Sequence, residues 1–137
     1  MDKPCLTPLF SPESVVVFSG RLDAPDSQTA QALALTNALR AQRFLGTLQF
    51  LDVRTSGTLA DLAQARADLA IIALPTEDVA SALEIAGRMA CRAALVISNG
   101  TPAEAATEWK KIAKRESLHL LGPNSLGLQR PSLQLNA

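Results

Sequence analysis

Along this chain, short runs of consecutive apolar residues alternate with longer stretches in which apolar positions recur every three or four residues. "SVVVF" (14–18) is β-branched and unbroken, as a strand buried on both faces should be. "APDSQTAQALALTNALRAQRF" (24–44) follows with Ala32, Leu35 and Leu39 at helical spacing. Asp26 or Ser27 suits its N-cap, because a side-chain oxygen there accepts free N–H groups of the first turn, and Gly46 suits its stop. "TLQFLDV" (47–53) predicts a second strand and "TLADLAQA" a short helix. "ADLAIIALP" (67–75) predicts a third strand ended by Pro75, then a helix, "TEDVASALEIAGRMA", with Thr76 and Asp78 in position to cap it. "CRAALVIS" (91–98) predicts a fourth strand, broken by Asn99-Gly100. In "TPAEAATEWKKIAKRES", Thr101 reads as N-cap, Pro102 as first helical residue and Glu104 as the partner in a capping box. "LHLLG" (118–122) predicts a fifth strand, and the remaining "PNSLGLQRPSLQLNA" reads as a tail rich in turn residues.

Strands alternating with helices at this spacing require crossover connections, hence a parallel sheet. Right-handed crossovers then lay helices on both faces. The expected fold is α/β: a doubly wound, Rossmann-like domain with a five-stranded, mostly parallel sheet. In such a sheet ligands bind outside the carboxyl ends of the strands, at the switch point beside the first. The candidate segments are therefore "SGRLDAPDS", "DVRTSG", "LPTED", "SNGTP" and "GPNSLG".

Composition narrows the possible roles. With 137 residues, 47% apolar and 19% charged, the chain can close its own core. Thirteen basic and thirteen acidic residues cancel, so no global field recruits nucleic acid or anionic lipid. With no tyrosine and one tryptophan, a base-stacking platform is not expected. Cys5 and Cys91 form no CxxC pattern, pointing to a reducing compartment, no metal site and inert thiols. The opening "MDKPCLTPLFSPES" lacks a signal-peptide core, and no apolar run reaches the roughly 20 residues of a membrane span. The expectation is a cytoplasmic protein.

The first turn is the most informative candidate. Anions bind at helix N-termini through free N–H groups and the dipole, and glycines allow the approach. This turn has one glycine, Gly20, with Arg21, Asp23 and Asp26. Asp26 can satisfy those N–H groups from within and repel a phosphate; alternatively Arg21 and the backbone still hold one. Asp52, at the end of the second strand, invites comparison with the ribose-binding acid of NAD sites. However, GxGxxG is missing and the spacing from Gly20 exceeds the usual ~20 residues, so a solvated Asp is the simpler reading. His119, the single histidine, fits a strand end. Trp109, three residues before Ile112, fits a packed helix face. Lys110, Lys111, Lys114 and Arg115 fit a solvated helix end that complements its dipole.

"LFSPESVVVFSG", "DLAIIALPTEDV", "AALVISNGTP" and "LHLLGPNSLGL", in that order, resemble the coenzyme-A-binding domain at the N-terminus of NDP-forming acyl-CoA synthetases. The same domain opens bacterial protein lysine acetyltransferases and is more distantly similar to the α subunit of succinyl-CoA ligase. The resemblance spans nearly the whole chain, and "LLGPNSLGL" is its most specific part. It implies a module that holds coenzyme A or acyl-CoA for a site elsewhere and does no catalysis alone. Its parent would be an acid–thiol ligase or acyltransferase, with further domains or subunits as partners. Nucleic acid and membrane are not implied; a homo-oligomer is compatible.

Carried over by position, the implied coenzyme contacts are Ser19, Gly20, Arg21 and Ser27 in the first turn, with Asp26 and Thr29 in the same helix start. Pro75, Thr76, Ser98, Asn99 and Gly100 fall along the pantetheine path. Gly122, Pro123 and Asn124 close the pocket floor. Arg54, from its place beside Asp52 and not by family position, can meet the 3′-phosphate, which Asp52 would oppose; a surface Arg is the simpler role. The sequence departs from the family's glycine-rich first turn and from the longer loop after its second strand. The alternative is a degenerate Rossmann domain that has lost coenzyme affinity and serves a structural or regulatory role. The expected organisation is an N-terminal extension (1–13), the domain (14–124) and a tail (125–137) leading into an absent domain.

Overall fold

The structure, a computed structural model, describes residues 11–18, 34, 37–38, 41, 46–51, 66–97, 101–122, 129–130 and 135–136. Its strands are β1 (Ser14–Phe18), β2 (Thr47–Leu51), β3 (Leu69–Ile72), β4 (Ala93–Val96) and β5 (His119–Leu121). They form one sheet in the order β2-β1-β3-β4-β5, and every adjacent pair is parallel. Helix α1 (Thr76–Arg88) joins β3 to β4, and α2 (Ala103–Arg115) joins β4 to β5. This is the expected doubly wound, Rossmann-like arrangement.

Burial along the strands explains their unbroken apolar sequences. Val16, Phe18, Ala70, Ile72, Ala94 and Val96 pack into one core with Val79, Leu83 and Ala86 of α1 and Trp109 and Ile112 of α2. The alternate residues Val15, Val17, Leu69, Ile71, Ala93 and Leu95 face the other way, yet they too are fully buried. Both faces of the sheet are therefore covered, which period-two alternation cannot produce and a continuous apolar run can. Positions 34, 37, 38 and 41 are helical; Ala34, Asn37 and Ala41 are exposed and Ala38 half-buried. Their spacing marks the outward face of the helix expected after β1. The short helix expected over 58–65 lies outside the described residues.

Both described helices end in the same way. In α1 the N–H of Cys91 donates to the carbonyl of Ala86, and that of Ala90 to Gly87. In α2, Leu118 donates to Ala113, and Ser117 to Lys114. This is the Schellman pattern, whose central residue must be left-handed and is usually glycine. Here it is Ala90 (φ 61°) and Ser117 (φ 59°), each carrying a Cβ against the following carbonyl. Ala90→Gly and Ser117→Gly should each raise stability by about 0.5–1 kcal/mol, seen as a higher urea midpoint at unchanged slope. A lower midpoint would refute the assignment of strain.

At the amino ends of the strands, Asp68 holds three neighbours together. Its carboxylate accepts the Glu13 N–H (2.9 Å), and its own N–H donates to the Ser14 carbonyl (3.0 Å) and Ser14 Oγ (3.0 Å). Its carbonyl accepts the Arg92 N–H (3.1 Å).

Three expectations need correction. The strands are shorter than read, because pairing ends at Ile72 and Val96 although Ala73 and Leu74 stay buried. The N-caps are Pro75 and Pro102, so Thr76 lies inside α1 as its first residue and Pro102 precedes α2. In both places the ring fixes φ near the helical value while ψ stays extended, at 152° and 148°. The proline thus supplies the non-helical step at which the helix begins. Lastly, the tail is not all turn: Gln129–Arg130 (β6) pairs antiparallel with Leu135–Asn136 (β7). Two-residue strands are too short to leave a periodic signal.

Candidate ligand-binding rim

The parallel register brings the strand exits together along one rim. Phe18 is paired with both Leu51 and Ile72, Ile72 with Val96, and Leu95 with Leu121. Beyond the last pairs the chain keeps its neighbours: the Ala73 N–H donates to the Phe18 carbonyl and the Ile97 N–H to the Ile72 carbonyl, both at 2.9 Å. Because β1 lies between β2 and β3, successive connections diverge at the β1 and β3 exits. Such a switch point is where doubly wound domains seat their ligands.

Pro75 and Thr76 follow β3 at this switch point, both half-buried, two and three residues past the Ala73–Phe18 hydrogen bond. The Asp78 N–H turns back onto the Pro75 carbonyl (2.9 Å) as α1 begins. Buried Ala73 and Leu74 anchor this exit in the core, so the Pro75-Thr76 step has a rigid base. At the far end of the rim the chain leaves β5 through Gly122, at φ 108°. A Cβ built there would collide with the carbonyl oxygen of Val96 and come within 3.3 Å of its carbonyl carbon. The absence of a side chain lets the β5 exit rest on the β4 exit.

The other sequence-derived contacts, Ser19, Gly20, Arg21, Ser27, Arg54, Ser98, Asn99, Gly100 and Asn124, lie outside the described residues. So do Asp23, Asp26, Thr29, Asp52, Pro123 and Cys5. The structure therefore brings Pro75 and Thr76 to the rim and does not describe the rest. Three features were missed in reading the chain: the anchoring of Ala73-Leu74, the role of Asp68, and the contact of Gly122 with Val96. For Asp68 there was a signal, an isolated acid opening an otherwise apolar strand; for the backbone contacts there was none.

Several candidates resolve into structural roles. Trp109 is buried in the core at 1% exposure. His119 is exposed at the start of β5, opposite Ala93, at the end of the sheet away from the rim. Lys110, Lys111 and Lys114 are exposed on α2. Arg115 meets Glu84 of α1 at 3.0 Å and Glu116 at 3.3 Å, in solvent, where such pairs contribute little.

Cys91 is a free, buried thiol. Burial, reinforced by the nearby Asp68 carboxylate, pushes it up to about 12 from 9.0. It is a poor nucleophile, since the thiolate is the reactive form. The sign of its pH effect follows from proton binding. Between the unfolded and folded values the native state keeps the proton and the unfolded state loses it, so stability falls as pH rises. From pH 9 upward this chain should lose about 1.4 kcal/mol per pH unit relative to Cys91→Ala, followed by urea titration at each pH. Parallel slopes for the two proteins would refute it.

Among the described residues no group of three or more His, Cys, Asp or Glu could hold a metal, and no helix is long and apolar enough to cross a membrane.

No family model matches the chain. An ADP-forming acetate–CoA ligase of Methanocaldococcus jannaschii is 35% identical over 74 residues, 51% of this chain and 10% of that protein. The dinucleotide-forming acetyl-coenzyme A synthetase 1 of Ca. Korarchaeum cryptofilum, solved with phosphate and ADP, superposes with a TM-score of 0.77 at 24% identity. The match covers 96% of this chain and 30% of that one. Its apo form gives 0.78 at 23% identity over the same shares. The chain thus spans about a tenth of the length of the curated relative it matches.

Proposed function

We propose, from the kinship of this chain with the NDP-forming acyl-CoA synthetases, that it is the coenzyme-A-binding module of such an enzyme or of an acetyltransferase-like protein. The observation that carries the reading is the switch point between β1 and β3 in the sheet order, with Pro75 and Thr76 following β3 there, in a domain whose fold superposes on part of a synthetase over 96% of this chain. The module holds coenzyme A or acyl-CoA, with Ser19, Gly20, Arg21 and Ser27 toward the pyrophosphate and Arg54 toward the 3′-phosphate. Pro75, Thr76, Ser98, Asn99 and Gly100 line the pantetheine arm, and Asn124 closes the pocket floor. Bond making belongs to the remainder of the enzyme, because these positions include no His, Cys, Asp, Glu or Lys to act as base or thiol nucleophile. The setting is cytoplasmic, where free coenzyme A and reduced thiols coexist.

Affinity in the isolated chain is weak. At ~4 Å and an effective dielectric of ~20, the Asp26 carboxylate and a phosphate repel by roughly 4 kcal/mol if fully formed. Calorimetry should therefore give a dissociation constant weaker than micromolar, and Asp26→Gly should tighten it by about tenfold or more. Thermal midpoints with coenzyme A, acetyl-CoA, NAD and ATP check selectivity, since a ligand at 100 times its dissociation constant adds about 2.7 kcal/mol. If neither the wild type nor Asp26→Gly responds to coenzyme A, the domain is a degenerate one with a structural or regulatory role.

A further inference from the structure

Strand β5 ends the sheet on one side and, among the described residues, pairs only with β4. The His119 N–H donates to the Arg92 carbonyl on the β4 side (2.9 Å). Backbone groups alternate in direction along a strand, so the N–H and carbonyl of Leu120 point to the open side. An edge of this kind is a template for another strand unless charge, proline or a bulge blunts it. Leu118–Gly122 holds no proline, lysine, arginine or acid, and β5 pairs with β4 in unbroken register.

The two faces beside this edge differ. Leu118 and Leu120 pack into the cluster beneath α1 and α2. Leu121, opposite Leu95, lies on the other face and is the exposed large apolar side chain among the described residues. Over the first face α2 is asymmetric. Arg115 reaches Glu84 of α1, which fixes the flank turned toward α1. At about 100° per residue, Arg115, Glu104 and Glu108 lie to one side of buried Trp109, and Lys110 and Lys114 about 100° and about 140° to the other. Helix α2 joins β4 to β5, so the flank away from α1 is the one beside the open edge, and its charges are all positive. Both lysines are exposed, and among the described residues neither meets a carboxylate.

We propose that the open edge of β5 receives an extended segment of another polypeptide, added to the sheet as a further strand and alternating acidic with apolar residues. Side chains of a strand point to its two faces in turn. On the α2 face the added strand meets Lys110 and Lys114, which call for carboxylates; on the other it meets Leu121, which calls for an apolar side chain. The backbone of Leu120 supplies the pairing. Antiparallel pairing of β5 with that of a second copy would set the lysines of one α2 against those of the other, and like charges disfavour it.

The test titrates the full chain with acetyl-Glu-Val-Glu-Val-Glu-Val-amide and with the matching Lys-Val peptide, followed by amide NMR shifts, at about 20 mM and about 300 mM KCl. The acidic peptide should shift the amides of Leu118–Gly122 and slow hydrogen exchange at Leu120. Its affinity should fall about fivefold at the higher salt, and the Lys-Val peptide should bind at least about fivefold more weakly at the lower. The double variant Lys110→Gln, Lys114→Gln should weaken the acidic peptide about fivefold at an unchanged thermal midpoint, since both side chains are solvated. N-methylation of the acidic peptide's backbone amides should abolish binding. Equal affinity for the two peptides, shifts that spare β5, or no shift with either overturns the proposal. Protection of Leu120 that grows with protein concentration and needs no peptide also overturns it and assigns the edge to a second copy.

Discussion

Trp109→Ala lowers the stability of this domain by about 3–5 kcal/mol, and its thermal midpoint by about 10–15 °C. Trp109 is among the largest fully buried side chains and belongs to the cluster that joins α1, α2 and one face of the sheet. Truncation removes the transfer free energy of the indole and leaves a cavity that the surrounding sheet and helices fill only in part. Phe at this position retains most of the apolar volume and should cost less than half as much. The check is urea unfolding of both variants. A loss under about 1 kcal/mol for Trp109→Ala would mean that the helix pair does not rest on this residue.

Gly122→Ala should cost about 2–5 kcal/mol, from two causes that add. At φ 108° an L-residue is strained, and the new methyl meets the Val96 carbonyl, which is backbone and cannot rotate aside. The damage should be local. Hydrogen exchange at His119–Leu121 should accelerate while Val15–Phe18 and Leu69–Ile72 stay protected, because β5 is the last strand of the sheet and β1 and β3 are interior. Uniform loss of protection, or none, would contradict the contact. Leu121, 39% exposed, shows how little burial holds this strand in place beyond its pairing with β4.

Much of the architecture could be read from residue patterns because burial dictates them. The run at Ser14–Phe18 became a strand with those bounds, since five consecutive apolar or small residues satisfy a sheet covered on both faces. The helix periods of 76–88 and 103–115 were visible because each buries one stripe only: Val79, Leu83 and Ala86 in the first, Trp109 and Ile112 in the second. Parallel strands followed from the helical lengths between them. The candidate site was read as a place, the turns after the strands, and Pro75 and Thr76 follow β3 directly. Helix starts were misjudged by a residue because proline accepts φ for either state and only ψ, set by the path of the chain, distinguishes them.

Local sequence by itself therefore determined the five parallel strands, their order along the chain and the two helices that follow β3 and β4. Tertiary structure alone decided that the β5 exit lies on the Val96 carbonyl, that Asp68 binds together the starts of three strands, and that Ala90 and Ser117 take left-handed conformations. The physical reason is range. Periodicity records whether a side chain faces apolar surroundings, whereas these features depend on backbone groups that meet only after residues far apart in the chain have packed.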